Sequence, residues 1–409
     1  LGLVYFAVIG VQIANPAWNY MLSTAGWWVE PVAHIPWLPH GVAGTPFAKM
    51  NAWRTLMIHG GIWLAVCALW IGITRRRSAQ VLLVAIAING VALAVVAILQ
   101  RLTESDRLLF FWPAPTPYFV ASFIYKNHAG AYLNLILALC LGLAWWHADR
   151  AEQRMAKSHP GLLFLFLAVF VGTALLFTYA VAATALGLAF VLTVAIGYVT
   201  LRIFHAKHGG SSRSATLLTG GLCAVFLGLC AYSLNIEKVS RKFGRVSDEE
   251  YTSSITYRQL ATKATFDMGR DELWLGHGIG GYRYVFPRFQ QAYPEIFTSR
   301  KRRLYWEHAH NDYVEYFAES GVLGLGLLAL GSVFVIVGMR RAGVFSQPPG
   351  LIVAGGPLLV VVYAAADFPT HNPAVLTTAC AILVLTTRWV GLDRPKHART
   401  AGNAENLKS

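Results

Sequence analysis

The chain has 409 residues, 56% of them hydrophobic and 13% charged, a balance too apolar for a soluble protein of this length. Its formal net charge of +14 would suit nucleic acid, but the basic residues sit in short clusters between apolar stretches, as membrane-topology signals do. Composition therefore excludes a soluble globular protein and a nucleic-acid partner, and predicts an all-α, polytopic integral membrane protein forming a single membrane domain over residues 1–409.

A spanning helix needs roughly 20 mainly apolar residues, and about ten stretches come near that: 1–14, 53–74, 79–99, 118–146, 160–180, 182–201, 215–235, 313–339, 351–368 and 374–392. The first is short and lacks an initiating Met, so further chain is expected upstream. Cys67, Cys140, Cys223, Cys230 and Cys380 all fall inside apolar stretches without ligand-like spacing and read as small core residues. Basic clusters follow every second stretch: Arg75, Arg76 and Arg77; Arg150, Arg154 and Lys157; Arg202, Lys207 and Arg213; Arg340 and Arg341; Arg394, Lys396 and Arg399. The positive-inside rule places all of them in the cytoplasm, which predicts a multi-pass membrane protein in contact with lipid throughout, its opposite side periplasmic or extracellular.

The same alternation puts segments 15–52, 100–117 and 236–312 on the outer side. Trp27, Trp28, Trp37, Phe110, Phe111 and Trp112 suit the first two to the bilayer interface. The third is the longest polar stretch. Loops beyond about 15 residues are uncommon unless functional or disordered, and this one is too rich in aromatics, Leu and Ile for disorder. It is expected to be a periplasmic loop carrying the active site.

Where that loop meets the next apolar stretch, the sequence reads Glu307-His308-Ala309-His310-Asn311-Asp312-Tyr313-Val314-Glu315, followed by Glu319, Gly321 and Gly324. Histidines and carboxylates at a membrane interface are costly unless they bind or react. Three other segments stand out upstream: Phe123-Ile124-Tyr125-Lys126-Asn127-His128, Arg258 within 253–260, and Gly276-His277-Gly278-Ile279-Gly280 ahead of Phe286-Pro287. No strand precedes the glycine run, so it predicts a turn and not a nucleotide site.

In this order the four segments resemble the O-antigen ligase and polysaccharide polymerase superfamily, over about residues 120–325, with a ligase-like core expected over 118–340. His310-Asn311-Asp312 and the Gly-x-x-Gly of Gly321 and Gly324 fit the family spacing without gaps, and Lys126 takes the place of an Arg in its Phe-x-Asn-Arg-Asn-His segment. One departure is plain. Many relatives carry a Ser-Arg pair at an outer helix end after Leu-Thr, whereas Thr178 here is followed by Tyr179, Ala180 and Val181. Lys126 or another loop Arg is then expected to supply the second positive charge. The resemblance implies a cofactor-free, metal-independent, inverting glycosyltransferase that moves a glycan from undecaprenyl diphosphate onto lipid A core or another surface-glycan acceptor. It leaves ligase, polymerase and protein O-oligosaccharyltransferase as alternatives.

The residue chemistry agrees with that implication. A lipid-diphosphate donor carries its own leaving group, so the protein must remove a proton from the acceptor hydroxyl and stabilise charge on the departing diphosphate. Histidine suits the first task and arginine the second. His310 is accordingly expected as base, Arg258 as diphosphate clamp and Asp312 as orienting group, with Lys126, Asn127, His128, Asn311, Arg283 and Arg288 contacting substrate. Other readings of the same residues stand beside these. His310 suits a structural interface role, and His308 and His310 with Asp312 or His277 suit a zinc site. Asp312 followed by Glu315 is a helix-capping signature, Arg258 suits a solvated loop, and Lys126 a snorkelling position. A transporter or flippase would instead place charges at mid-membrane, where Asp367 near a helix end is almost the sole candidate.

Overall fold

Apolar runs interrupted by Arg, Pro and Gly become helices in chain order, and the computed structural model describes residues 1–155, 159–207, 249–299 and 302–392. The helices are α1 (Gly2–Ala14), α2 (Ala52–Gly72), α3 (Arg76–Leu102), α4 (Lys126–Gln153), α5 (Gly161–Phe177), α6 (Val181–Lys207), α7 (Glu249–Asp271), α8 (Tyr282–Gln290), α9 (Pro294–Phe297), α10 (Asp312–Ala342), α11 (Pro348–Tyr363) and α12 (Pro373–Gly391). Among the described residues, α2, α3, α4, α6, α10 and α12 contain stretches long and apolar enough to cross a membrane, and α1, α5 and α11 are shorter apolar helices. The seventh expected stretch, 215–235, and the start of the long loop, 236–248, lie outside the described residues.

Two expectations need correction. The chain is mostly helical but not all-α, because segment 15–52 folds into a three-stranded sheet of order β2-β1-β3, from β1 (Pro16–Ser23), β2 (Gly26–Pro31) and β3 (Gly41–Ala43). Its bulky aromatics, Trp18, Tyr20, Trp27 and Trp28, favour a pleated, half-buried surface. β1 and β2 pair antiparallel, with Ser23 opposite Gly26, and β3 joins β1 in parallel. The second correction is to the stretch 118–146, which becomes helical only from Lys126. Residues 118–125 stay irregular, and buried Gln100 serves the backbone of Ala121 there: its Oε1 accepts from Ala121 N at 2.7 Å and its Nε2 donates to Ala121 O at 3.4 Å.

The chain divides into two compact units. One takes its described residues from 1–63, 184–332 and 361–373, the other from 64–183, 333–360 and 374–409. In the second, α4 is buried along most of its length, and its small residues let neighbours approach closely: a Cβ on Gly142 would lie 2.3 Å from a Val353 methyl. The first unit has a core formed by one face of α7, where Ala261, Ala264 and Met268 recur at helical spacing, against Tyr282, Val285 and Phe286 of α8 and Ile296 of α9. This core gives the long loop a folded, helical body.

Candidate active site

The platform of the site is a break in α10 at Gly321, where φ is 62° and ψ −168°. A break frees backbone groups that need partners, and the glycine turn supplies them. His277 N donates to Ala318 O and Gly278 N to Glu319 O, both at 2.9 Å, while Val322 N donates to Leu273 O at 2.9 Å. The approach is close enough that a Cβ on Gly321 would fall 2.3 Å from the Trp274 carbonyl carbon, and one on Gly276 2.4 Å from that of Glu319. Gly276, Gly278 and Gly280 all have positive φ, as the expected turn requires. Glu319 Oε1 accepts from Tyr282 N at 2.9 Å, fixing the start of α8. Two glycine motifs separated in sequence thus meet beneath the histidines.

His310 precedes α10 in a left-handed conformation with φ of 55°, an unfavourable state for a non-glycine residue that concentrates at functional sites. Its Nδ1 stands 3.5 Å from Asp367 Oδ1 and its ring meets Phe368 edge-on. Asp367 is almost fully buried, and its Oδ1 also accepts from Phe368 N at 2.9 Å. Burial alone would raise the Asp367 pKa, but His310, the positive charge of Arg258 and the Phe368 N–H outweigh it and hold the carboxyl below the usual aspartate range. His310, expected as base, thus faces a carboxylate that the sequence reading had left in a rival hypothesis, and the charge of Arg258 favours that carboxylate's ionised form. Catalytic hydrogen bonds are commonly long before substrate binds. Asp367 facing Nδ1 leaves Nε2 as the nitrogen available to an acceptor.

Asp312 takes neither of its expected parts. Asn311 caps α10 instead, its Oδ1 accepting from Tyr313 N and Val314 N at 3.1 and 3.2 Å. Asp312 points at the segment before α12: Oδ2 accepts from Thr370 N and Thr370 Oγ1, at 3.0 and 2.7 Å, and Oδ1 pairs with His371 Nδ1 at 2.8 Å. It orients a histidine, but His371 and not His310. Glu315, one turn on, lies 2.8 Å from His308 Nδ1 and 3.1 Å from His371 Nε2, and its second oxygen accepts from Ala309 N at 2.7 Å. Burial works against charge on His371, but Glu315 and Asp312 outweigh it and raise its pKa well above the ordinary histidine value. His308, Glu315 and His371 could hold a metal ion between them. His277, considered as a ligand from sequence, is elsewhere engaged, its Nε2 on Met268 O at 2.9 Å.

The remaining candidates are placed as follows. Arg283 pairs with Glu307 at 3.0 Å and Lys49 reaches the same oxygen at 3.5 Å. Arg288 is exposed and stacks on Trp18, its guanidinium 4.1 Å from the ring centroid. Lys126, Asn127 and His128 open α4 in the other unit, where Lys126 lies over Tyr118, Asn127 donates to Tyr125 Oη at 2.6 Å and His128 meets the Tyr125 ring. In that unit the sequence reading missed Arg101. At the end of α5, where relatives carry the arginine that this chain lacks, Arg101 Nε donates to Phe177 O at 3.2 Å and its guanidinium covers the Tyr179 ring. Its signal was a basic residue at the end of an apolar stretch, away from every basic cluster.

No curated protein matches the chain. A family model described as O-antigen ligase matches residues 118–329, just over half the chain, and takes in Lys126, Arg258, the glycine turn, His310 and the broken start of α10. On that match the chain belongs to the O-antigen ligase family.

Proposed function

We propose that this membrane protein transfers a glycan from undecaprenyl diphosphate to lipid A core, with inversion, on the periplasmic face of the inner membrane. The observation that carries the reading is the pairing of His310 with the buried carboxylate of Asp367, 3.5 Å from its Nδ1, with the charge of Arg258 also favouring the ionised carboxylate. A base and a fixed positive charge supply the two things the reaction needs. His310 Nε2 takes the proton from the acceptor hydroxyl as its oxygen attacks the anomeric carbon, and the bond to the diphosphate breaks with its electrons on the leaving oxygen. Asp367 steadies the imidazolium as it forms. Arg258 pairs with the departing diphosphate, so the transfer step itself routes no charge through a metal.

The test compares donor binding with transfer. His310→Ala should lower transfer by about 10²–10⁴-fold, the usual contribution of a general base, while glycan-lipid binding stays near normal. Arg258→Ala should weaken both, with only partial recovery in Arg258→Lys, because an ammonium cannot make the paired contact. Offering lipid A core and a second lipid-linked glycan in parallel separates ligase from polymerase. Near-normal transfer by folded His310→Ala would remove the histidine from the chemistry.

A further inference from the structure

We infer that His308, Glu315 and His371 form a divalent metal site of the zinc class, with Asp312 behind it, distinct from the His310–Asp367 pair. Three ligand atoms of the right kinds converge: His308 Nδ1, His371 Nε2 and Glu315 Oε1 all lie within 4.8 Å of one another. His308 Nδ1 and His371 Nε2 lie 2.8 and 3.1 Å from the Glu315 oxygen. Bonds of about 2.0–2.2 Å in a tetrahedron separate ligand atoms by roughly 3.3 Å, so a small outward movement of each side chain admits an ion. Two imidazoles and a carboxylate are a donor set suited to Zn²⁺, and they leave a fourth position for an oxygen ligand.

The surroundings are those of a built site. A metal-bound histidine ordinarily gives its other nitrogen to a carboxylate, and a metal-bound carboxylate is itself hydrogen-bonded. Asp312 Oδ1 holds His371 Nδ1 at 2.8 Å, and Ala309 N donates to the second Glu315 oxygen at 2.7 Å. Phe368 stacks on His308 with ring centroids 4.4 Å apart, shielding one side. Glu315 and Asp312 are both buried, and a divalent ion balances the charge of both carboxylates.

The ion would join segment 308–315 to segment 367–371, the two pieces of chain that also carry His310 and Asp367. Its role is therefore to hold the base against its carboxylate. That role rests on the proposed transfer reaction, whereas the site does not.

The experiment uses the full chain in detergent, with any affinity tag removed and bound ions stripped by a chelator. Zn²⁺ alone should bind once per chain and raise the melting temperature as its concentration increases. Co²⁺ in its place should develop the visible ligand-field absorption of a nitrogen–oxygen site and lose it to excess Zn²⁺. His308→Ala and His371→Ala should each weaken Zn²⁺ binding at least tenfold, and Asp312→Asn by about 10–100-fold. His310→Ala, which removes no ligand, should bind as the wild type does. If a ligand variant fails to fold, the wild-type cobalt spectrum decides. Absence of Zn²⁺ binding, or binding indifferent to both histidine variants, overturns the site and leaves a protonated His371 between its carboxylates. None of these measurements needs donor or acceptor, so failure of the site and failure of the transferase reading are separable.

Discussion

Asp367 is 1% exposed at its side chain, yet its carboxyl is held ionised by what surrounds it. His310 from the head of α10 and the backbone of Phe368 face it, and the charge of Arg258, on α7, favours its ionised form. Replacing it by Asn preserves volume and removes the charge that would steady an imidazolium. Asp367→Asn should therefore cut transfer at saturating donor by up to the about 10²–10⁴-fold that base catalysis contributes, with donor affinity changing far less. Unchanged transfer in the folded variant would exclude Asp367 from the chemistry. At this scale the sequence was a partial guide. Residue type and the family spacing singled out His310 and Arg258 as candidates, but the pairing of His310 with Asp367 was not legible, because the two lie far apart in sequence. Nor was His371, because it follows Glu315 by a long apolar stretch and belongs to no local pattern. Asp312 was misread for a related reason, since the capping signature is local and Thr370 and His371 are not.

Among elements, the glycine turn from 276 to 280 is where local chemistry and packing agree best. Sequence indicated the turn; its docking into the break at Gly321 depended on backbone groups that only the fold brings together. His277 is 3% exposed in this joint, and burial, the largest influence, lowers its pKa to about 4 from the ordinary value of 6.5, against the opposing effects of the Met268 carbonyl and Asp271. In the unfolded chain the imidazole gains its proton near 6.5; in the folded chain it does so only near 4. Between those values the unfolded state binds the extra proton, so stability is complete above pH 6.5 and falls as pH drops towards 4. Over the whole window the loss is on the order of 3 kcal/mol. Thermal melts in detergent from pH 7 to 4 should show the decline, and His277→Gln, which cannot titrate, should flatten part of it. Identical slopes for the two proteins would mean that the joint tolerates the charged ring.

For the whole molecule, orientation in the membrane decides whether the histidines can meet a flipped glycan lipid at all. Composition made the membrane class plain, and periodic basic clusters suggested which ends face the cytoplasm; among the described residues six helices are long and apolar enough to cross, while α1, α5 and α11 are apolar and shorter. Hydropathy gave no sign of the small sheet, whose aromatics resemble an interfacial segment. The orientation can be tested on described residues alone. α3 has 27 residues, about 40 Å of helix at 1.5 Å per residue, enough to cross the bilayer. Thr74, beside Arg75 to Arg77, lies before it, and Thr103 lies after it. In a cysteine-free background, a membrane-impermeant maleimide applied to cells with a permeable outer membrane should modify Thr103→Cys and leave Thr74→Cys until the inner membrane is opened. Glu295→Cys, exposed in α9 of the loop body, should behave like Thr103→Cys. That third result carries the most information. It reports directly on the membrane face at which the loop body, with Arg258 and His310, lies. Protection of Glu295→Cys alongside labelling of Thr103→Cys would place His310 and Arg258 on the cytoplasmic side, and a periplasmic transferase would then be untenable whatever the geometry of its histidines.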